Sequence, residues 1–241
     1  MMSLSEEWSI LSGSMYGREF IDELAKLFET EGAKFILECG CGNGSVLHGL
    51  AERGFNCTGI DASSEMISLA VKHHSHPNIT YKIMNWVELS KLAMVFDVVM
   101  CRGNSLTYVN SWGIERQEFN SNAALTEIEK SLKIFFDKLK THGMLYVDTI
   151  TEDEIRRMGG PVKVDVDDVH LEGSIEHDCG NKARYVSGGG LVRGQDFYGT
   201  SVSYLLTPKE LETLIQIHRP SRIWHPEIKH EKNYHVICAR K

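Results

Sequence analysis

The sequence predicts an α/β protein built on a doubly wound, mostly parallel seven-stranded sheet, with a small antiparallel insertion after the fifth strand. Three observations predict it. Strand-length apolar runs alternate with helix-period segments up to residue 150, the pattern of βα units around a parallel sheet. The first run, Phe35 to Cys39, enters a turn holding Gly40, Gly42 and Gly44 and then a helix beginning near Val46. From residue 160 to 206 the helical period gives way to alternation and glycine turns, as in an antiparallel sheet.

The bulk properties narrow the function classes. A chain of 241 residues suits one domain over 1–241 with a modest insertion. The net charge of −7 argues against a nucleic-acid partner, which would call for a basic face. No apolar run approaches the roughly 20 residues of a membrane span, and the first residues lack a basic and apolar leader. The expectation is a cytoplasmic protein with no membrane partner and a possible homo-oligomeric state. Cys39, Cys41, Cys57, Cys101, Cys179 and Cys238 are scattered, mostly inside apolar runs. Cys39-Gly40-Cys41 is too tight for a zinc knuckle, so buried reduced thiols are expected.

Taken in order, Ser5 to Glu31 reads as helical, and residues 1–32 form an N-terminal helical flap. Ile21, Leu24, Leu27 and Phe28 share one face, while Trp8, Tyr16 and Arg18 precede it in a weakly periodic stretch. These aromatics either pad the domain or close over a ligand. At the glycine turn the spacing is Gly-x-Gly-x-Gly, without the later glycine of the pyrophosphate fingerprint. Glu38 stands just before the turn and can offset a positive charge. The pair suits a nucleoside carrying a cationic tail. Asn56 to Asp61 is a second strand, and its terminal carboxylate is placed for the two hydroxyls of a ribose. Ser63 or Ser64 caps the next helix.

His73, His74 and His76 lie at a helix end before Pro77 and read as a solvated connection. Ile79 to Met84 is the third strand, and Asn85-Trp86 after it could read the edge and face of an adenine. Phe96 to Cys101 is a continuous strand, apolar but for Asp97, as expected in a parallel sheet buried on both faces. The loop Arg102 to Tyr108 follows it, where ligands of open α/β sheets lie, and Asn104 in it offers donor and acceptor together. Leu125 to Leu139 is an amphipathic helix closed by His142-Gly143, and Met144 to Asp148 is the fifth strand. In the insertion, acids at 165, 167, 168, 172, 176 and 178 with His170 and His177 describe a wet sheet face, not a metal site. Pro208 to Ile217 is a helix capped by Thr207, and Ile223-Trp224 with Tyr234 to Ala239 forms a closing hairpin.

These features together resemble the class I S-adenosylmethionine (SAM) methyltransferases over roughly residues 33 to 150 and 205 to 241. The resemblance implies a Rossmann-like methyltransferase fold, SAM as cofactor and a small-molecule acceptor. It implies that Glu38 and the backbone at Gly40 and Cys101 hold the methionyl end, within the loop of Cys41, Gly42 and Gly44. Asp61, with Ala62 beside it, takes the ribose, and Met66, Asn85 and Trp86 bracket the adenine. Asn85-Trp86 and Cys101-Arg102-Gly103-Asn104-Ser105 are similar to the glycine/sarcosine N-methyltransferase family, which places that Asn at the substrate. Trp8 and Arg18 have the spacing of a family pair that closes over the cofactor, so Arg18 is implied for the SAM carboxylate. Tyr16, Tyr108 and Tyr198 are expected to complete the acceptor pocket around Asn104.

One departure bears on the acceptor. The family follows its fifth strand with Asp-His-Arg, whose Arg grips the substrate carboxylate, but here Asp148-Thr149-Ile150 stands in that place. Ile150 cannot pair a carboxylate. Arg156, Arg157 or Arg184 could replace it, or the acceptor carries no carboxylate. Leu11 also stands where the family has a tyrosine. The expected activity is methyl transfer to a small amine, with small-molecule O-methylation or protein or RNA methylation as alternatives, and with no metal.

Overall fold

A computed structural model describes residues 16–166, 169–192 and 194–241. Seven strands form one sheet: β1 (Phe35–Cys39), β2 (Asn56–Asp61), β3 (Ile79–Ile83), β4 (Phe96–Cys101), β5 (Leu139–Ile150), β10 (Arg222–Trp224) and β11 (Tyr234–Arg240). Their order is β10-β11-β5-β4-β1-β2-β3. β1 to β5 run parallel, and β11 is antiparallel to both β5 and β10. The order reverses between β1 and β4, so their carboxyl ends open the crevice where this architecture takes ligands.

Strand alternation explains why both faces are apolar. Ile36, Val98, Met100 and Tyr146 face one way, against α1 (Arg18–Thr30) and α2 (Ser45–Glu52). Leu37, Val99, Leu145 and Val147 face the other, against α4 (Ser121–Asp137) and α6 (Pro208–Gln216). The remaining helices are α3 (Ser64–His73), capped by the Ser63 hydroxyl on the Met66 N–H at 3.2 Å, and the short α5 (Glu152–Arg157).

The N-terminal segment departs from expectation. Trp8 and the first half of the expected helix lie outside the described residues. Among the described ones the helix begins at Arg18, because Gly17 is extended. Phe20, Leu24, Ala25 and Phe28 of α1 are buried in the core, so this helix packs as a layer on the sheet. Burying the Phe and Leu side chains contributes roughly 1.5–3 kcal/mol each. α4 also ends earlier than expected, and the chain re-enters the sheet at Leu139, so His142-Gly143 sits inside β5.

The insertion is a separate antiparallel sheet in the order β6 (Gly159–Val166), β7 (Val169–Asp178), β8 (Ala183–Val192), β9 (Gln195–Tyr204). β9 runs back to the main core through Tyr204, Leu205 and Leu206, all buried. Among the described residues no helix is long and apolar enough to cross a membrane.

Candidate active site

The glycine loop is held from behind and open in front. The Gly40 and Cys41 N–H groups donate to the Ile60 carbonyl at 2.8 and 3.0 Å, tying the loop to β2. At Gly44, with φ +76°, a Cβ would lie 2.3 Å from the Tyr81 hydroxyl, so only glycine fits. At Gly42, with φ +53°, a Cβ would meet no protein atom within 4 Å. That is the close backbone approach a ligand needs. Tyr81 bonds the Gly44 and His74 carbonyls at 3.3 and 3.0 Å, and the His74 ring Nδ1 contacts the Asn43 carbonyl at 2.7 Å. His74 is therefore not part of a merely solvated connection. Burial lowers its pKa, and the ring braces the loop.

Asp61 locks the loop to the next strand end. Its Oδ2 accepts from the Gly42 N–H and its Oδ1 from the Ser63 N–H, each at 2.9 Å. Burial raises its pKa against the pull of those N–H groups. A carboxylate oxygen has two acceptor sites, so capacity remains for ribose hydroxyls. Ala62 beside it is exposed and Met66 is buried. Across the crevice Asn85 is exposed and its N–H bonds Glu88, while Trp86 sets its edge against Phe135 with centroids 5.5 Å apart. A Cβ on Gly40 would reach Trp86 at 3.6 Å and Ser105 at 3.4 Å. The glycine loop, Trp86 and the loop after β4 therefore share one edge of the sheet.

Glu38 is fully buried, and Arg102 Nε lies 2.7 Å from its Oε1. The N–H is not directed along that contact, so both carboxylate oxygens retain unfilled hydrogen-bonding capacity. Burial pushes Glu38 up to about 7 in spite of the guanidinium. Arg102 is itself buried, and the Tyr16 ring lies 4.3 Å from its guanidinium carbon. Sequence reasoning named Glu38 and Tyr16 but missed Arg102, although a charge directly after the apolar run Val98 to Cys101 was the signal. Cys101 is buried with its thiol raised by burial, leaving its backbone as the polar group on offer.

The acceptor loop hangs from Asp148. The Gly103 and Asn104 N–H groups each donate to this buried carboxylate at 2.7 Å, fixing Asn104 at φ +59°. Burial pushes Asp148 up to about 8. Thr149 Oγ1 lies 2.6 Å from the Leu206 carbonyl and 3.3 Å from Asn104 Oδ1. Thr149 donates at short range to the Leu206 carbonyl, and an Asn104 amide turned with Nδ2 toward the Thr149 hydroxyl satisfies the amide donor as well. The Asn104 amide is therefore assigned with Nδ2 toward Thr149. In that orientation the buried, unpartnered end of the amide is its carbonyl oxygen.

Tyr108 is hydrogen-bonded to Ser201 of β9 at 3.3 Å, joining the acceptor loop to the insertion. Tyr16 has its hydroxyl unpartnered near Gly103. Tyr198 is 76% exposed on β9 and is not brought to Asn104. Arg18 is exposed at the first turn of α1. Ile150 is buried and pairs with Tyr234 across the β5–β11 ladder. Of the three candidate arginines, Arg156 and Arg157 bond Asp153 on the exposed face of α5. Arg184 alone is buried, within electrostatic reach of Tyr108 and Tyr234.

Arg184 is held by Glu154, with Nε–Oε1 at 2.6 Å and Nη2–Oε2 at 3.4 Å, and His177 Nε2 meets the same Oε1 at 3.1 Å. Burial would raise Glu154, but Arg184 and His177 outweigh it and hold its pKa below the usual range. Glu154 and His177 were not singled out together from the sequence, since they come from α5 and β7. His170 instead pairs with Asp165 on the exposed sheet face at 2.6 Å. Among the described residues no group of three or more acids, histidines and cysteines could hold a metal ion.

The residues present fit SAM. Glu38 supplies buried acceptor capacity for a cationic tail, Gly42 leaves backbone approach open, and Asp61 remains for a ribose. Comparison with known proteins agrees. Residues 36–133 match the family described as "Methyltransferase domain". Glycine N-methyltransferase of Oryctolagus cuniculus is 26% identical over 166 residues, covering 63% of this chain and 53% of that protein. Ubiquinone biosynthesis O-methyltransferase of Coxiella burnetii (strain Dugway 5J108-111) is 29% identical over 157 residues, covering 63% and 64%. The chain thus spans between about half and two thirds of the length of the curated relatives it matches. The SAM-bound structure of CalS10, an amino pentose methyltransferase from Micromonospora echinaspora, superposes with a TM-score of 0.74 at 15% identity, covering 100% of this chain and 97% of that one. Residues 36–133 are thus similar to a methyltransferase domain, and the chain shares the fold of the SAM-bound CalS10 structure.

Proposed function

We propose that the protein transfers a methyl group from SAM to the nitrogen of a small amine. Bound SAM supplies an electrophilic methyl on a sulfonium. The chain's own part is to hold the acceptor in line and exclude water, since alignment alone can supply several kcal/mol. The observation that carries the reading is the buried Asn104 amide, held by Asp148 through the backbone and set beside Thr149; assigned with Nδ2 toward Thr149, it leaves its carbonyl oxygen free. It accepts an N–H of a neutral amine and so directs the nitrogen lone pair. No strong base is needed if the amine arrives neutral. The glycine N-methyltransferase relative and the amino pentose methyltransferase neighbour support nitrogen as the acceptor atom.

The O-methyltransferase relative supports a second reading, because a hydroxyl also donates to Asn104. A SAM-dependent screen of small amines, amino acids, amino sugars, phenols and alcohols, read as S-adenosylhomocysteine release and product mass, separates the two. Turnover is expected on amines with the added mass on nitrogen. Turnover confined to phenols or alcohols would overturn the nitrogen assignment.

A further inference from the structure

The buried charges at the strand ends do not balance. Glu38, Asp148 and Glu231 all act on one cation, Arg102, which also faces the Tyr16 and Tyr146 hydroxyls. Asp148 spends its oxygens on the Gly103 and Asn104 N–H groups, and Glu231 Oε1 takes those of Asn233 and Tyr234 at 3.0 and 3.2 Å. Glu38 has only the misdirected contact to Arg102. Asp61 adds a second negative charge on its other side. The remaining titratable groups that feel Glu38 are Cys39, Cys41, Cys57, Cys101 and Tyr81, all raised by burial and therefore neutral.

We propose that Arg102 is a positioning residue for the cofactor, acting through Glu38: its guanidinium keeps Glu38 a carboxylate, ready for the cofactor's cationic end. A fully buried carboxyl with no donors would hold its proton, and a protonated acid is a poor partner for a cation. Arg102 is placed for this by its own burial and by the Tyr16 ring over it. The compensation is incomplete, because Glu38 still titrates near about 7. Below that value the free protein carries a proton on Glu38. A cation arriving beside it must displace that proton into solvent, so binding releases protons and tightens as pH rises through the titration. The inference rests on SAM as the cofactor.

Calorimetry of SAM binding in buffers of different ionisation enthalpy counts the protons. Glu38→Gln supplies the baseline, since it retains every other titration, including that of the cofactor's amine. Relative to that baseline, wild type should release about 0.9 proton at a pH about one unit below the Glu38 midpoint and about 0.1 one unit above it. Arg102→Met should shift the release upward in pH, so that close to one proton is still released at the higher value. Arg102→Lys, which keeps the charge, should stay near wild type. Arg102→Gln takes the place of the Met variant if that one does not fold. Equal proton counts in wild type and Glu38→Gln, or an unshifted profile in the uncharged Arg102 variant, would overturn the proposal. Absence of SAM binding by wild type at every pH would instead overturn the cofactor.

Discussion

Gly42→Ala should abolish tight SAM binding while leaving the fold nearly intact, and the structure supplies both halves of that forecast. The backbone at Gly42 has φ +53°, and an added Cβ would find no protein atom within 4 Å. The cost to the fold is therefore backbone strain alone, about 1–2 kcal/mol for an L-residue in the left-handed region. For a chain of this size that is a loss of roughly 2–8 °C in Tm. The same methyl projects into the space in front of the loop, where a ligand's approach depends on its absence. A loss of about tenfold to a hundredfold in SAM affinity, roughly 1.4–2.8 kcal/mol, follows if even one close contact is displaced. Gly32→Ala is the control. Its φ is +73° and its Cβ would also meet nothing, but it follows α1 at the amino end of the sheet. Thermal unfolding without cofactor and calorimetry with SAM read the two variants side by side. Equal destabilisation with equal SAM affinity would refute the placement of the cofactor at this loop.

Asn104→Ala should leave SAM affinity within about twofold and lower turnover by about 10²-fold, since misplacement of the acceptor on the order of 1 Å is that costly. Initial rates at saturating SAM check this, and Tyr198→Ala, at a 76% exposed position, should leave the same rates unchanged. Arg184→Lys keeps the charge but loses the planar fork. It should raise KM about tenfold or more for acceptors that carry a carboxylate and leave others unaffected, which a paired acceptor panel would show. Exhaustive chelation should leave turnover intact. Loss of activity restored by one divalent ion would place a metal at the acidic face near His170.

The fold was legible wherever local pattern and tertiary role coincide. β1, β2 and β4 are bounded as their sequence runs predict, because central strands buried on both faces are mostly apolar and end at turn residues. The Thr207 cap and Pro208 start of α6 followed from capping chemistry alone. Boundaries failed where tertiary pairing overrode local signal. Leu139 joins β5 because β4 offers it a partner at Phe96, despite the helical period that runs into it. Among the described residues α1 starts only at Arg18, after an extended Gly17 that periodicity alone does not reveal.

The candidate site divides along the same line. The residues proposed for the cofactor come one or two from each strand end in sequence order, so Gly42, Asp61 and Trp86 could be singled out from strand, turn and helix spacing. Residues facing the acceptor come together only through long-range pairing. Arg184 of β8, its counter-ion Glu154 on α5 and the brace His177 on β7 meet only through the pairing of β8 with β7 and the packing of α5. Nothing in the spacing of 154, 177 and 184 joins them. Ile150 shows the converse. Its position was read correctly from the strand that carries it, but a missing guanidinium in one strand says nothing about one supplied from another sheet. Arg184 has five N–H donors, and Glu154 takes two of them. The rest are not taken by Glu154. The local residue at 150 therefore does not exclude a carboxylate-bearing acceptor, and the acceptor panel with Arg184→Lys is the experiment that decides it.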